Sequence, residues 1–124
     1  MQELIAAALA GRQRAYAPYS KYQVGAAVLT DAGLFMGCNV ENASYGLCNC
    51  AERTAIFSAV AAGATKVLAV AVATEDGGSP CGACRQVIAE FASDDCPVLL
   101  LDNAGGVVYE GTLGDLLPRA FRLQ

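Results

Sequence analysis

Apolar and polar positions alternate along the chain with two rhythms, one helical and one strand-like. Leu4, Ile5, Ala8 and Leu9 fall at helical spacing and predict a helix over residues 2–16. Pro18 disfavours the helical conformation for the residue before it, so Ala17-Pro18-Tyr19-Ser20 is expected to end that helix. Residues 23–30 read as a strand, Asp31-Ala32-Gly33 as a turn and residues 34–38 as a returning strand. The short connection implies an antiparallel hairpin. A polar stretch from Asn39 to Asn49 precedes a helix over residues 50–62, stopped by Gly63. Lys66 to Thr74 is a continuous apolar run of strand length, the pattern of a strand buried on both faces. A loop over 75–80, a helix over 81–92, a second buried strand over 97–102 and a turn at 104–106 follow. A last strand over 107–110 and a short helix over 113–117, stopped by Pro118, complete the order α-β-β-α-β-α-β-β-α. Strand–helix–strand alternation with apolar strands makes a helix-covered sheet, part parallel and part antiparallel. With no internal repeat, linker or low-complexity segment, residues 1–124 are expected to form one α/β domain.

Composition narrows the chemistry. A hydrophobic fraction of 55% against 16% charged, with mean hydropathy +0.39, specifies a packed core and excludes disorder. The chain has no histidine. That removes Ser-His-Asp and Cys-His nucleophiles, imidazole bases and every zinc site that needs an imidazole, so carboxylates, thiolates, Tyr or Lys must act instead. The net charge is −4, and the basic residues are scattered without a run. Phosphate neutralisation supplies most nucleic-acid affinity, so neither a polynucleotide nor an anionic membrane is an expected partner. The apolar stretch Leu4 to Ala10 follows Glu3 with no basic residue before it, which suits helix turns better than a secretory signal. No apolar run reaches the roughly 20 residues of a membrane span. A cytoplasmic chain with reduced thiols is expected.

Three of the six cysteines then stand out. Cys50, Cys81 and Cys84 each lie at or just inside the start of a predicted helix that follows a loop. Helix N-termini lower thiol pKa values and favour the thiolate that metals bind. Two such helices starting side by side would gather three thiolates around Zn²⁺, leaving the fourth tetrahedral position for water, as catalytic sites do. Glu52, two residues after Cys50, can approach without ligating and move a proton. Three thiolates outweigh the charge of Zn²⁺. Arg53 and Arg85, in first helical turns where the macrodipole disfavours cations, therefore suggest a local anion, and Arg53 is expected to hydrogen-bond the ligand sulfurs. Rival readings exist. Cys38 and Cys96 fit simple burial, Cys81-Gly82-Ala83-Cys84 could be a redox pair, and Cys48 could complete a closed four-thiolate structural site in an interaction module.

Cys50-Ala51-Glu52 followed by Pro80-Cys81-Gly82-Ala83-Cys84 resembles the signature of zinc-dependent deaminases. Cysteine in the first ligand position, Gly37-Cys38-Asn39-Val40-Glu41-Asn42-Ala43-Ser44-Tyr45 upstream and Cys84-Arg85-Gln86 downstream resemble the small cytidine deaminases in particular. The likeness runs from Tyr16-Ala17-Pro18-Tyr19-Ser20-Lys21 to Leu116-Leu117-Pro118-Arg119-Ala120-Phe121. It implies a three-layer α/β/α sandwich around a five-stranded mixed sheet. It also implies hydrolytic deamination of cytidine and 2′-deoxycytidine in pyrimidine nucleoside salvage, with one Zn²⁺ per subunit on Cys50, Cys81 and Cys84 and Glu52 as proton carrier. A related deaminase of another aminated heterocycle is the nearest enzymatic alternative. Tyr22, Asn39, Glu41, Ala43, Tyr45, Ala51 and Phe121 match substrate-binding positions: Asn39 and Glu41 for the ribose, and Tyr22 where a phenylalanine commonly packs on the pyrimidine. The family's small members are homotetramers in which Ala43 and Tyr45 match positions lent by a neighbouring subunit, and Phe121 one that covers the base.

Overall fold

In a computed structural model, which describes residues 1–123, the two long apolar runs become neighbouring strands at the centre of one sheet. The elements are α1 (Gln2–Arg12), β1 (Gly25–Thr30), β2 (Gly33–Cys38), a 3₁₀ turn (Tyr45–Leu47), α2 (Ala51–Ala61), β3 (Val67–Ala73), α3 (Gly82–Phe91), β4 (Pro97–Leu101), β5 (Val107–Thr112) and α4 (Leu113–Leu116). The five strands lie in the order β2-β1-β3-β4-β5. β3 and β4 pair in parallel across the α3 crossover, and every other pair is antiparallel.

Strand period sorts the core into two layers. Ala69, Ala71 and Ala73 of β3 with Leu99 and Leu101 of β4 face Leu4 and Ala8 of α1. Val70, Val72, Val98 and Leu100, on the opposite face, pack against Ile56 of α2, Ile88 of α3 and Leu113 of α4. The small alanines let α1 lie close on its face. At Gly25 a Cβ would come within 2.1 Å of the Ala8 carbonyl oxygen, so only glycine fits beneath the helix. Gly37 does the same for the other layer, where a Cβ would stand 2.5 Å from the Ala55 nitrogen within α2.

Two differences from the sequence reading have local causes. The first helix stops at Arg12 instead of reaching residue 16, because the chain must turn to place Tyr16 against β2's exit. There the Tyr16 nitrogen donates to the Asn39 carbonyl and the Glu41 nitrogen to the Tyr16 carbonyl. β3 is buried on both faces except at Leu68, which is half exposed where the β1–β3 register slips between Leu29 and Thr30. The expected turn glycine Gly63 has φ +104° after α2, a conformation that favours glycine. Among the described residues no helix is long and apolar enough to cross a membrane.

Candidate active site

The sheet's directions bring the cysteines together. β2 and β3 both run antiparallel to β1, so their C-terminal ends open on the same edge. The chain leaving β2 enters α2 there, and the chain leaving β3 enters α3. Cys50 and Cys81 are the residues that cap these helices, each with extended backbone, and Cys84 lies in the first turn of α3. The Sγ atoms of Cys50, Cys81 and Cys84 all lie within 4.8 Å of one another. Cys84 is fully buried, and Cys81 and Cys84 Sγ stand 3.4 Å apart. Tetrahedral sulfurs at the Zn–S distance of about 2.3 Å are about 3.8 Å apart, so this donor set suits Zn²⁺ in both chemistry and spacing.

The surrounding charges fit the same ion. Arg53 donates from its guanidinium to Cys50 Sγ at 3.1 Å, the contact expected from its unfavourable place in the first turn. Its Nε is buried and has no hydrogen-bond partner among the described residues. The Cys84 thiol and Arg53 push the Cys50 pKa down, so Cys50 takes the thiolate form. The same hydrogen bond to Cys50, together with burial, pushes Cys84 up and keeps its proton while protons are the only cations to hand. A divalent cation releases that proton, since metals take the thiolate. Arg85 differs from Arg53. It donates to the carbonyls of Pro80 at 2.8 Å and Leu116 at 2.6 Å and to Ser79 Oγ, fastening the loop before α3 and not reaching the sulfurs. Cys48 stays outside the cluster, accepting from the Asn42 nitrogen at 3.2 Å, so the described residues do not form the closed four-thiolate site. Cys38 is half-buried and donates to the Arg14 carbonyl, and Cys96 is buried in the core.

A cavity of about 340 Å³ opens beside the sulfurs and brings Tyr22, Asn39, Glu41, Ala51 and Glu52 to one surface with Cys50 and Cys81. Glu52 is 4% exposed, and burial first, then the Cys50 charge, raises its pKa from the ordinary carboxylate range. A carboxyl so placed holds a proton more readily than an exposed one, which suits a group that must both accept and return it. The Asn39 side chain is oriented by the segment that leads into β1: its Oδ1 accepts from the Val24 nitrogen at 2.9 Å and its Nδ2 donates to the Tyr22 carbonyl at 2.8 Å. Glu41 Oε1 accepts from the backbone nitrogens of Tyr19 at 2.9 Å and Ser20 at 3.1 Å, and Oε2 accepts from the Ser20 hydroxyl. The Ser20 hydroxyl chiefly, helped by the two amides, holds Glu41 below its usual pKa and keeps it anionic.

Ala43, Tyr45 and Phe121 do not line this cavity in the single chain. Tyr45 is exposed and meets Tyr19 edge-on at 6.2 Å, and Phe121 is exposed beside Phe57 and Val87 in a separate groove. Ser20, Thr74 and Ser79 also line the cavity, and no motif in the sequence points to them. Thr74 carried a signal, being a polar residue closing an otherwise apolar run, whereas Ser20 and Ser79 carried none beyond their loops.

Comparison with known proteins places this geometry. Residues 1–100 match the cytidine and deoxycytidylate deaminase zinc-binding region. The cytidine deaminase of Sporosarcina psychrophila is 52% identical over 124 residues, covering 98% of this chain and 90% of that one. The cytidine deaminase of Halalkalibacterium halodurans is 51% identical over 97% of this chain and 92% of its own. Among solved structures, the 1.6 Å crystal structure of cytidine deaminase from Burkholderia pseudomallei superposes with a TM-score of 0.89 at 54% identity, covering 97% and 98% of the two chains. Cytidine deaminase from Mycobacterium tuberculosis gives 0.85 at 40% identity, over 98% and 97%.

Proposed function

We propose that this chain, which belongs to the cytidine and deoxycytidylate deaminase family, is a zinc-dependent cytidine deaminase. It converts cytidine and 2′-deoxycytidine to uridine and 2′-deoxyuridine with release of ammonia, in the salvage of pyrimidine nucleosides. The observation that carries this reading is the buried Glu52 carboxyl at the three-sulfur cluster, in one cavity with Asn39 and Glu41. Cys50, Cys81 and Cys84 hold the zinc, which when bound supplies a Lewis acid that makes water able to give up a proton near neutral pH.

Everything else falls to the side chains. Glu52 takes a proton from the attacking water as its oxygen bonds to C4 of the base, and delivers that proton to N3. It then carries the second water proton to the exocyclic nitrogen, so that the C4–N bond breaks with ammonia as the leaving group. Its raised pKa suits a group that must be base and acid in one turnover. Arg53 steadies the thiolate charge through Cys50. Asn39 and Glu41 hold the ribose hydroxyls, and Tyr22 sets its ring against the pyrimidine next to Ala51. The anionic Glu41 repels a phosphate, which favours a nucleoside over a nucleotide.

The whole chain acts as one catalytic domain in the cytoplasm, and four copies complete the sites. Ala43, Tyr45 and Phe121, exposed and outside their own chain's cavity, are then lent to neighbouring sites. Glu52→Gln is the test. Turnover of cytidine is expected to fall by at least about 10²-fold with about one zinc per chain retained. Unchanged turnover would remove Glu52 from the chemistry.

A further inference from the structure

Tyr22 carries a hydroxyl that packing against a base does not require. That hydroxyl donates to Asp76 Oδ1 at 2.8 Å, across 54 positions of sequence. Asp76 also accepts from Thr74 Oγ1 at 3.3 Å, and Thr74 Oγ1 accepts from the nitrogens of Gly77 and Gly78 at 2.7 Å each. The Tyr22 ring thus reaches the loop between β3 and α3, which leads directly into the metal-binding Cys81. Its other end is fastened as well. The Tyr22 nitrogen donates to Ser20 Oγ at 3.0 Å, and its carbonyl accepts from Asn39 Nδ2. Gly78 lies so close that a Cβ there would stand 2.7 Å from the Tyr22 hydroxyl. One side chain therefore spans the cavity's rim from the wall carrying Asn39 and Glu41 to the wall carrying Ser79 and Cys81.

We propose that Tyr22 is a positioning residue whose hydroxyl, by latching onto Asp76, fixes the spacing of these two walls and so sets the fit of the nucleoside. A phenylalanine would keep the apolar face but remove the hydrogen bond that joins the 75–80 loop to the opposite wall. Glu52 and Cys84 lie within α2 and α3, and Cys50 and Cys81 cap those helices, so loss of the latch acts on binding more than on the chemical step. The Asp76 carboxylate is exposed to solvent, which limits the strength of the bond and hence the size of the effect.

The inference rests on the nucleoside reading above. Tyr22→Phe and Asp76→Ala are each expected to raise KM for cytidine by roughly three- to ten-fold, with kcat within two-fold of the parent. Affinity for the product uridine, measured by calorimetry, should weaken in step. The double variant should do less than the product of the single effects, as expected for partners in one contact. Amide exchange at Gly77 and Gly78 should quicken in both single variants. An unchanged KM, a loss confined to kcat, or independent effects in the double variant would overturn the latch. If the parent chain failed to deaminate cytidine, the functional reading would fall, while amide exchange at the two glycines would still decide whether the latch exists.

Discussion

Arg53 sits where a helix least favours a cation, in the first turn of α2, and its guanidinium turns back to Cys50 Sγ. That placement makes sense only beside concentrated negative charge. Arg53→Ala is therefore expected to lower zinc affinity by about 10- to 100-fold, read from competition with a chromogenic chelator. Equal affinity would show that the contact is incidental. Glu41 is the proposed counterpart on the sugar side, aimed by Ser20 and two backbone amides. Glu41→Ala should raise KM for cytidine by about 10- to 100-fold, the worth of hydrogen bonds to a charged group. A KM left in place would detach the carboxylate from the ribose. These two residues differ in how plainly the sequence announces them. Arg53 breaks a local rule three positions from a cysteine and can be suspected from its neighbours alone. The Ser20–Glu41 and Tyr22–Asp76 contacts join loops 21 and 54 positions apart, and no local pattern marks them.

Strand and helix identities followed from periodicity because the two core layers impose it: alternate residues of β3 and β4 face opposite helical layers. Boundaries followed less well where tertiary hydrogen bonds compete, as at the early end of α1, where the chain is drawn to Asn39 and Glu41. Ile88, fully buried between α3 and the sheet, should cost about 2–5 kcal/mol when cut to alanine, measured by denaturant unfolding of the zinc-loaded protein. At the β1–β2 turn, Asp31 accepts from the nitrogens of Thr65 at 2.9 Å and Lys66 at 3.1 Å and from the Thr65 hydroxyl, tying the turn to the entry of β3. The Thr65 hydroxyl first, then the two amides, hold the Asp31 pKa down at about 2. A pKa depressed on folding stabilises the fold above the unfolded value of about 3.9. The contribution disappears as pH falls through about 2. The difference in Tm between the parent and Asp31→Asn should thus be constant above about pH 5 and close on acidification below about pH 4. A difference that is undiminished at pH 2 would contradict the assignment.

At the scale of the whole molecule, the single chain leaves apolar side chains uncovered: Phe57 and Val60 of α2, and Phe121 and Leu123 beyond α4. With Val87 and Phe91, several of these form a groove of about 500 Å³ that faces solvent. A homotetramer would cover such surface and carry Tyr45 and Phe121 to neighbouring cavities. Light scattering is expected to give four chains, about 51 kDa, and a monomer of undiminished activity would contradict shared sites. No local pattern in the chain marks this uncovered surface, because an exposed phenylalanine and a buried one look alike in sequence. The zinc site could be seen, because its ligand chemistry admits few residue types and the helix starts deliver them. The most direct test follows the ultraviolet change from cytosine to uracil when cytidine is added to the purified protein, before and after zinc is removed with a chelator. Conversion that stops on removal and returns when zinc is restored is the predicted result. A protein that carries one zinc per chain yet leaves cytidine unchanged would contradict deamination as its activity.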